Sequence, residues 1–305
     1  MTRPPKNIAE SVRARLAQRA RDRGEDFQLV LTRYANERLL YRLATSSHAD
    51  RFILKGAALF TIWVGHPHRP TRDLDLLGFG DAGEGHLREV FVDLLGRVMP
   101  DDGVVFDVEG LHVGPIRDDQ EYGGVRVTTT ATIAAARVRI QVDIGFGDAV
   151  TPSAELVDFP TLLDFPAPQL RAYPRETVVA EKVEAMVQLG MANSRMKDFF
   201  DVAMLADLFP FDGALLACAI RATFARRLTA LPHGLPVALT DAFANDASKR
   251  TQWKAFARKA GIDTTLDLPT TVERLARFAS KPLEIASTDA PWGGAWLAGG
   301  PWSDP

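Results

Sequence analysis

Apolar positions recur along this chain with two different periods, and the changes between them outline its parts. Over residues 8–43 the spacing is helical. Leu29, Val30, Leu39, Leu40 and Leu43 line one stripe of a helix expected over 26–43, and Asn7 can cap an earlier one over 8–23. A third helix is expected over 49–64, carrying or breaking at Lys55-Gly56, and Pro67 and Pro70 make 65–72 a loop. The period then drops to two. Leu74 and Leu76 alternate with Asp73 and Asp75 in a strand over 73–79, followed by a helix over 86–99 and strands over 104–108 and 125–133. The clearest strand covers 137–146, with Val138, Ile140, Val142 and Ile144 on one face and Arg137, Arg139, Gln141 and Asp143 on the other. Pro152, Pro160, Pro166, Pro168 and Pro174 mark an irregular connector. Helical spacing returns over 176–189, 197–208, 213–228, 237–243, 251–260 and 269–278. The expectation is an α+β protein: N-terminal helices and a mixed-sheet core over 1–170, a helical domain over 171–287, and a surface-wrapping or mobile Gly/Pro/Trp-rich tail over 288–305.

Composition narrows the classes. With 46% hydrophobic and 25% charged residues in 305, the chain is ordinary for a soluble globular protein. Its single cysteine, Cys218, excludes an intramolecular disulfide and suits a reducing, cytoplasmic setting. No apolar run approaches the roughly 18 residues of a membrane span, and the first residues contain no apolar signal core. A net charge of −3 argues against a protein that coats nucleic acid, but the charge is uneven. Residues 1–46 hold ten Lys/Arg against five Asp/Glu, and 221–259 hold eight against two. Such patches can guide a phosphate backbone.

The candidate chemistry begins at Lys55-Gly56. Seventeen residues after Gly56 comes the Asp-x-Asp pair of Thr71-Arg72-Asp73-Leu74-Asp75. On a strand Asp73 and Asp75 share a face, and two close carboxylates repel unless a cation lies between them. An all-oxygen set suits Mg²⁺, which completes its shell with substrate phosphates. Gly56 lets backbone approach those phosphates. Asp143 is a third acid on the polar side of a strand. Downstream, Lys182 falls on the apolar stripe of its helix with Val178, Val179, Val183 and Met186. It either snorkels to solvent or meets a triphosphate. Asp198 and Asp201 share a helix face beside Arg195, as a structural salt bridge or a network that orients Lys182.

These blocks, in this order, resemble the AbiEii/AbiGii toxin family of nucleotidyltransferases, which includes the MenT toxins of mycobacteria. The resemblance runs from about Lys55 to Leu208. It implies a nucleotidyltransferase fold. By matching motif it implies that Asp73, Lys182 and Asp201 are essential, that Asp73, Asp75 and Asp143 hold Mg²⁺ or Mn²⁺, and that Lys55, Gly56, Thr71, Arg72 and Lys182 meet an NTP. Arg195 and Asp198 support them. Where many members have Gly-Gly-Ser, this chain has Gly56-Ala57-Ala58, without the hydroxyl. The resemblance further implies the toxin half of a toxin–antitoxin or abortive-infection pair, with an antitoxin partner. Some members move a nucleotide, often a pyrimidine, to the tRNA 3′ end and block translation. A protein or small-molecule hydroxyl as acceptor, and a degenerate binding partner, are the competing readings. Phosphate on Thr71 would add a charge of roughly −1.5 to −2 beside the acids and compete with a triphosphate.

Overall fold

The computed structural model describes residues 7–116, 124–262, 266–288 and 290–303. Residues 1–6, which bear on the expected lack of a signal core, lie outside them. The chain divides into two units: Met1–Gly147 with Glu155–Ala172, and Asp148–Ala154 with Tyr173–Pro305.

The first unit is a mixed eight-stranded sheet with helices. Helices α1 (Ile8–Arg23) and α2 (Phe27–Ala44) start at side-chain caps from Asn7 and Asp26. Strand β1 (Phe52–Lys55) leads through Gly56 to the short helix α3 (Leu59–Val64). Then follow β2 (Leu74–Gly78), α4 (Glu84–Gly96), β3 (Val105–Phe106), β4 (His112–Pro115), β5 (Val125–Ile133), β6 (Ala136–Phe146), β7 (Glu155–Asp158) and β8 (Gln169–Ala172). The order across the sheet is β3-β5-β6-β2-β1-β8-β7, with β4 also on β5. Strands β2 and β6 are parallel, while β1–β2 and β5–β6 are antiparallel. On β5 and β6 burial alternates residue by residue, and α2 packs against β6.

Two expectations fail here for physical reasons. Residues 52–55 form a central strand, not part of a helix. Phe52, Ile53 and Leu54 are all buried, and a short continuous apolar run fits a helix or a doubly covered strand equally well. The 152–174 connector is not wholly irregular. Its prolines flank β7 and β8 and leave their backbone free to pair, β8 with β1.

The second unit is mainly helical: α5 (Arg175–Leu189), α6 (Met196–Leu208), α7 (Gly213–Arg226), α8 (Asp241–Asn245), α9 (Ala247–Ala260) and α10 (Leu268–Thr288). Helix α10 runs ten residues beyond the expected end at 278 and through Pro282, because Leu283, Ile285 and Ala286 carry its buried stripe onward. Described tail residues are pinned. Strand β10 (Ala295–Trp296) pairs with β9 (Phe211–Asp212) and β11 (Trp302–Ser303). Trp296 and Trp302 pack on Phe278 at ring distances of 5.0 and 5.8 Å. Their indole N–H groups donate to Ala206 and Phe278 carbonyls. No described helix is long and apolar enough to cross a membrane.

Candidate active site

Strand register in the first unit assembles a row of charges. Lys55 on β1 stands opposite Asp75 on β2, Asp75 is level with Asp143 on β6, and Asp143 faces Arg126 on β5. Four neighbouring strands, spaced about 4.8 Å apart, thus present cation, acid, acid, cation. Asp73 immediately precedes β2 on the same side as Asp75 and is exposed, while Leu74 and Leu76 enter the core.

Arg126 was not singled out from the sequence. It looks like one more polar position on an alternating strand, and only the β5–β6 register puts it opposite Asp143. Its Nε and Nη2 donate to the two Asp143 oxygens, both at 2.8 Å. Those hydrogen bonds first, with the charges of Asp143, Asp73 and Asp75, hold the guanidinium pKa above its ordinary value against a smaller desolvation effect. All three acids therefore act on one cation.

Gly56 ends β1 in the left-handed region, φ +74°. A Cβ there would overlap the Asp75 carboxyl. The glycine lets the β1–α3 turn lie against that acid. The 65–73 loop is tied to α2, since Asn36 donates its amide to the Arg72 carbonyl at 3.0 Å. Thr71 donates its hydroxyl to the Asp73 carbonyl in a long 3.4 Å bond.

Among the described residues, no group of three or more His, Cys, Asp and Glu side chains is drawn together closely enough to hold a metal ion as it stands. The donor chemistry nonetheless fits a hard divalent cation: carboxylate oxygens only, gathered around a positive group.

The second unit gathers the other expected residues. Lys182 on α5 donates to Asp198 at 2.6 Å and to Asp201 at 2.9 Å, both on α6. Arg195 completes the cluster, 2.7 Å from Asp198. The two aspartate side chains are 1% exposed and Lys182 is 15% exposed. Burial by itself pulls the lysine pKa down, but the two carboxylates outweigh it and the net shift is upward. Lys182 is thus an ion-paired ammonium and not a snorkelling one.

A neighbouring cluster corrects the expected basic surface. Arg227 lies 2.8 Å from Glu184, 3.1 Å from Asp148 and 3.4 Å from Glu181. Lys249 is buried and donates to the Asn193 carbonyl. Arg221 donates to carbonyls at the end of α10. These three cations satisfy internal acceptors. The exposed basic residues that remain on α9 are Arg250, Lys254, Arg258 and Lys259. Cavities of about 450 and 540 Å³ occur elsewhere and contain none of the expected site residues.

A mixed sheet carrying paired acids, with a glycine turn set against them, defines the nucleotidyltransferase class. The solved structures agree at the level of fold. JHP933 from Helicobacter pylori matches with a TM-score of 0.50 and 14% identity, over 87% of this chain and 94% of that one. A candidate nucleotidyltransferase from H. pylori matches with the same score and identity, over 87% and 96%. No curated protein matches the sequence. The profile of the nucleotidyl transferase AbiEii toxin family, of type IV toxin–antitoxin systems, matches residues 38–278, and the chain belongs to that family. Membership makes it a nucleotidyl transfer enzyme and implies an antitoxin partner.

Proposed function

We propose that this toxin transfers a nucleotide, with a pyrimidine favoured, from an NTP to the 3′ hydroxyl of tRNA and so blocks translation. The observation that supports this most is the row Lys55–Asp75–Asp143–Arg126 with Asp73 beside it. In the reaction the acceptor hydroxyl oxygen attacks the α-phosphorus of the NTP. An O–P bond forms, the bond from that phosphorus to the leaving pyrophosphate oxygen breaks, and the hydroxyl proton passes to the carboxylate cluster. Asp73, Asp75 and Asp143 would hold Mg²⁺ or Mn²⁺, which supplies charge neutralisation at the attacking and leaving oxygens. Lys55 and Arg126 flank the acids as positive charge for the phosphates. Gly56 leaves room for them. Thr71 and Arg72 border the same space on a loop anchored by Asn36.

Lys182 is the essential lysine of this reading, and Asp198, Asp201 and Arg195 are its positioning residues. Asp201 is too deeply buried to touch a substrate itself. The test is incubation of the purified protein with total tRNA, Mg²⁺ and each labelled NTP, followed by a denaturing gel. Label on tRNA is expected with one or both pyrimidine nucleotides. Label absent from RNA with all four would overturn the reading.

A further inference from the structure

The polar face that carries Asp143 continues down the β5–β6 hairpin. Gln141, Arg139 and Arg137 follow it at a period of two, and Thr128, Thr130 and Thr132 stand opposite them. The other face of β6 is committed to the core through Val138, Ile140, Val142 and Ile144. Arg137 and Arg139 are exposed, and neither guanidinium is ion-paired among the described residues. Asp107, beyond β3, turns its carboxylate to the Gly110 amide instead. At about 3.3 Å per residue, Arg137 lies roughly 20 Å from Asp143.

The face is therefore a strip. At one end are acids suited to a metal and a reacting hydroxyl. Along it are threonine hydroxyls and two arginines with uncommitted charge. Resting on the transfer reading above, the geometry points to this strip as the docking track for the single-stranded 3′ end of the RNA acceptor. Its backbone phosphates lie on Arg139 and Arg137, and its terminal hydroxyl reaches the Asp143 row. A single strand suits the strip better than a duplex. It can lie flat along a sheet face and still extend its last hydroxyl to the acids. Guanidinium planes can pair with phosphate or stack on splayed bases, and hydroxyls can meet the 2′-OH groups.

The test uses the full chain and the double variant Arg137→Gln/Arg139→Gln, which leaves the acids, Arg126 and the buried face untouched. Fluorescence anisotropy measures binding of a labelled single-stranded RNA oligonucleotide over a salt series, alongside the apparent KM for tRNA in nucleotide transfer. The variant is expected to bind about tenfold more weakly at moderate salt, with a log–log salt slope shallower by roughly 1.4, two single-strand phosphate contacts. The KM for tRNA should rise while that for NTP stays unchanged. Oligonucleotide affinity and slope equal to the parent's, or loss confined to Arg250→Gln/Lys254→Gln on α9, would overturn the track. A parent that binds the oligonucleotide in the expected way but labels no RNA overturns the transfer reading and leaves the track standing.

Discussion

Replacing Lys182 with Met removes the cation from two carboxylates whose side chains are each 1% exposed. The cost can be worked out from what each carboxylate loses. Asp198 keeps Arg195, which lies 2.7 Å away and is half exposed. Asp201 loses its 2.9 Å bond from Lys182 and stays where water does not reach. Removing one partner of a buried pair typically costs about 3–5 kcal/mol, because a charge remains desolvated and uncompensated. Against a total stability of about 5–15 kcal/mol, Lys182→Met should leave the second unit close to unfolding. Tryptophan fluorescence in urea reads this well, since Trp253, Trp292, Trp296 and Trp302, four of the five tryptophans, belong to that unit. Lys182→Met/Asp198→Asn/Asp201→Asn, with no charge left at these three positions, should recover much of the stability and still transfer no nucleotide. A loss below about 1 kcal/mol in Lys182→Met would refute the reasoning. A triple variant as unstable as the single one would do so too.

Asp73→Ala should abolish transfer and change urea stability by no more than about 0.5 kcal/mol, since the side chain is exposed. A folded variant with unchanged turnover would remove Asp73 from the metal set. Gly56→Ala should lower the melting temperature and transfer together. It puts a side chain at φ +74°, a strain of about 1–3 kcal/mol, and drives a methyl group into Asp75. Normal melting and activity would show that the turn has room to spare. Glu37 provides a pH test away from the acids. Burial pushes its carboxyl pKa up to about 7 from 4.5, against the pull of Arg38 and the Leu162 amide. Between those values the folded chain holds a proton that the unfolded chain has lost, so this contribution to stability falls as pH rises through that window. Denaturation of Glu37→Gln from pH 4 to 8 should show a flatter slope there, and a slope equal to the parent's would mean the carboxyl is not raised.

What could be read from the sequence was whatever alternates. Asp73, Asp75 and Asp143 stand out because each interrupts a period-two apolar pattern, and β6 lies within one residue of its expected span. Lys182, Asp198 and Asp201 were legible as charges on apolar helix faces, which need partners. Arg126 was not legible, because its role depends on register between strands joined by a turn, and single-strand periodicity carries no register. The 52–55 strand was obscured for a different reason. A strand covered on both faces has no alternation to display. For the tail, glycines and prolines left wrapping and mobility equally open, and the indoles decide for wrapping by packing around Phe278. Basic residues were the least reliable guide. Arg221, Arg227 and Lys249 count toward a positive patch, yet each is taken up inside its own unit.

Three of the acid–cation clusters among the described residues obey one electrostatic rule with different outcomes. In the Lys182 and Arg227 clusters the partner acids include side chains only 1% exposed, so separating the charges would strand a carboxylate away from water. Those clusters are part of the folded structure and will not rearrange readily when substrate arrives. The Arg126–Asp143 pair is 37% and 18% exposed, and an accessible pair of that kind is worth only about 1 kcal/mol or less. Water or another ion can replace either partner at small cost. Arg126 also feels Asp73 and Asp75. The strand register thus supplies a cation that keeps the carboxylates from repelling one another, held weakly enough to give way. The proposed uptake of metal and triphosphate needs that combination, and of these three clusters only this one provides it.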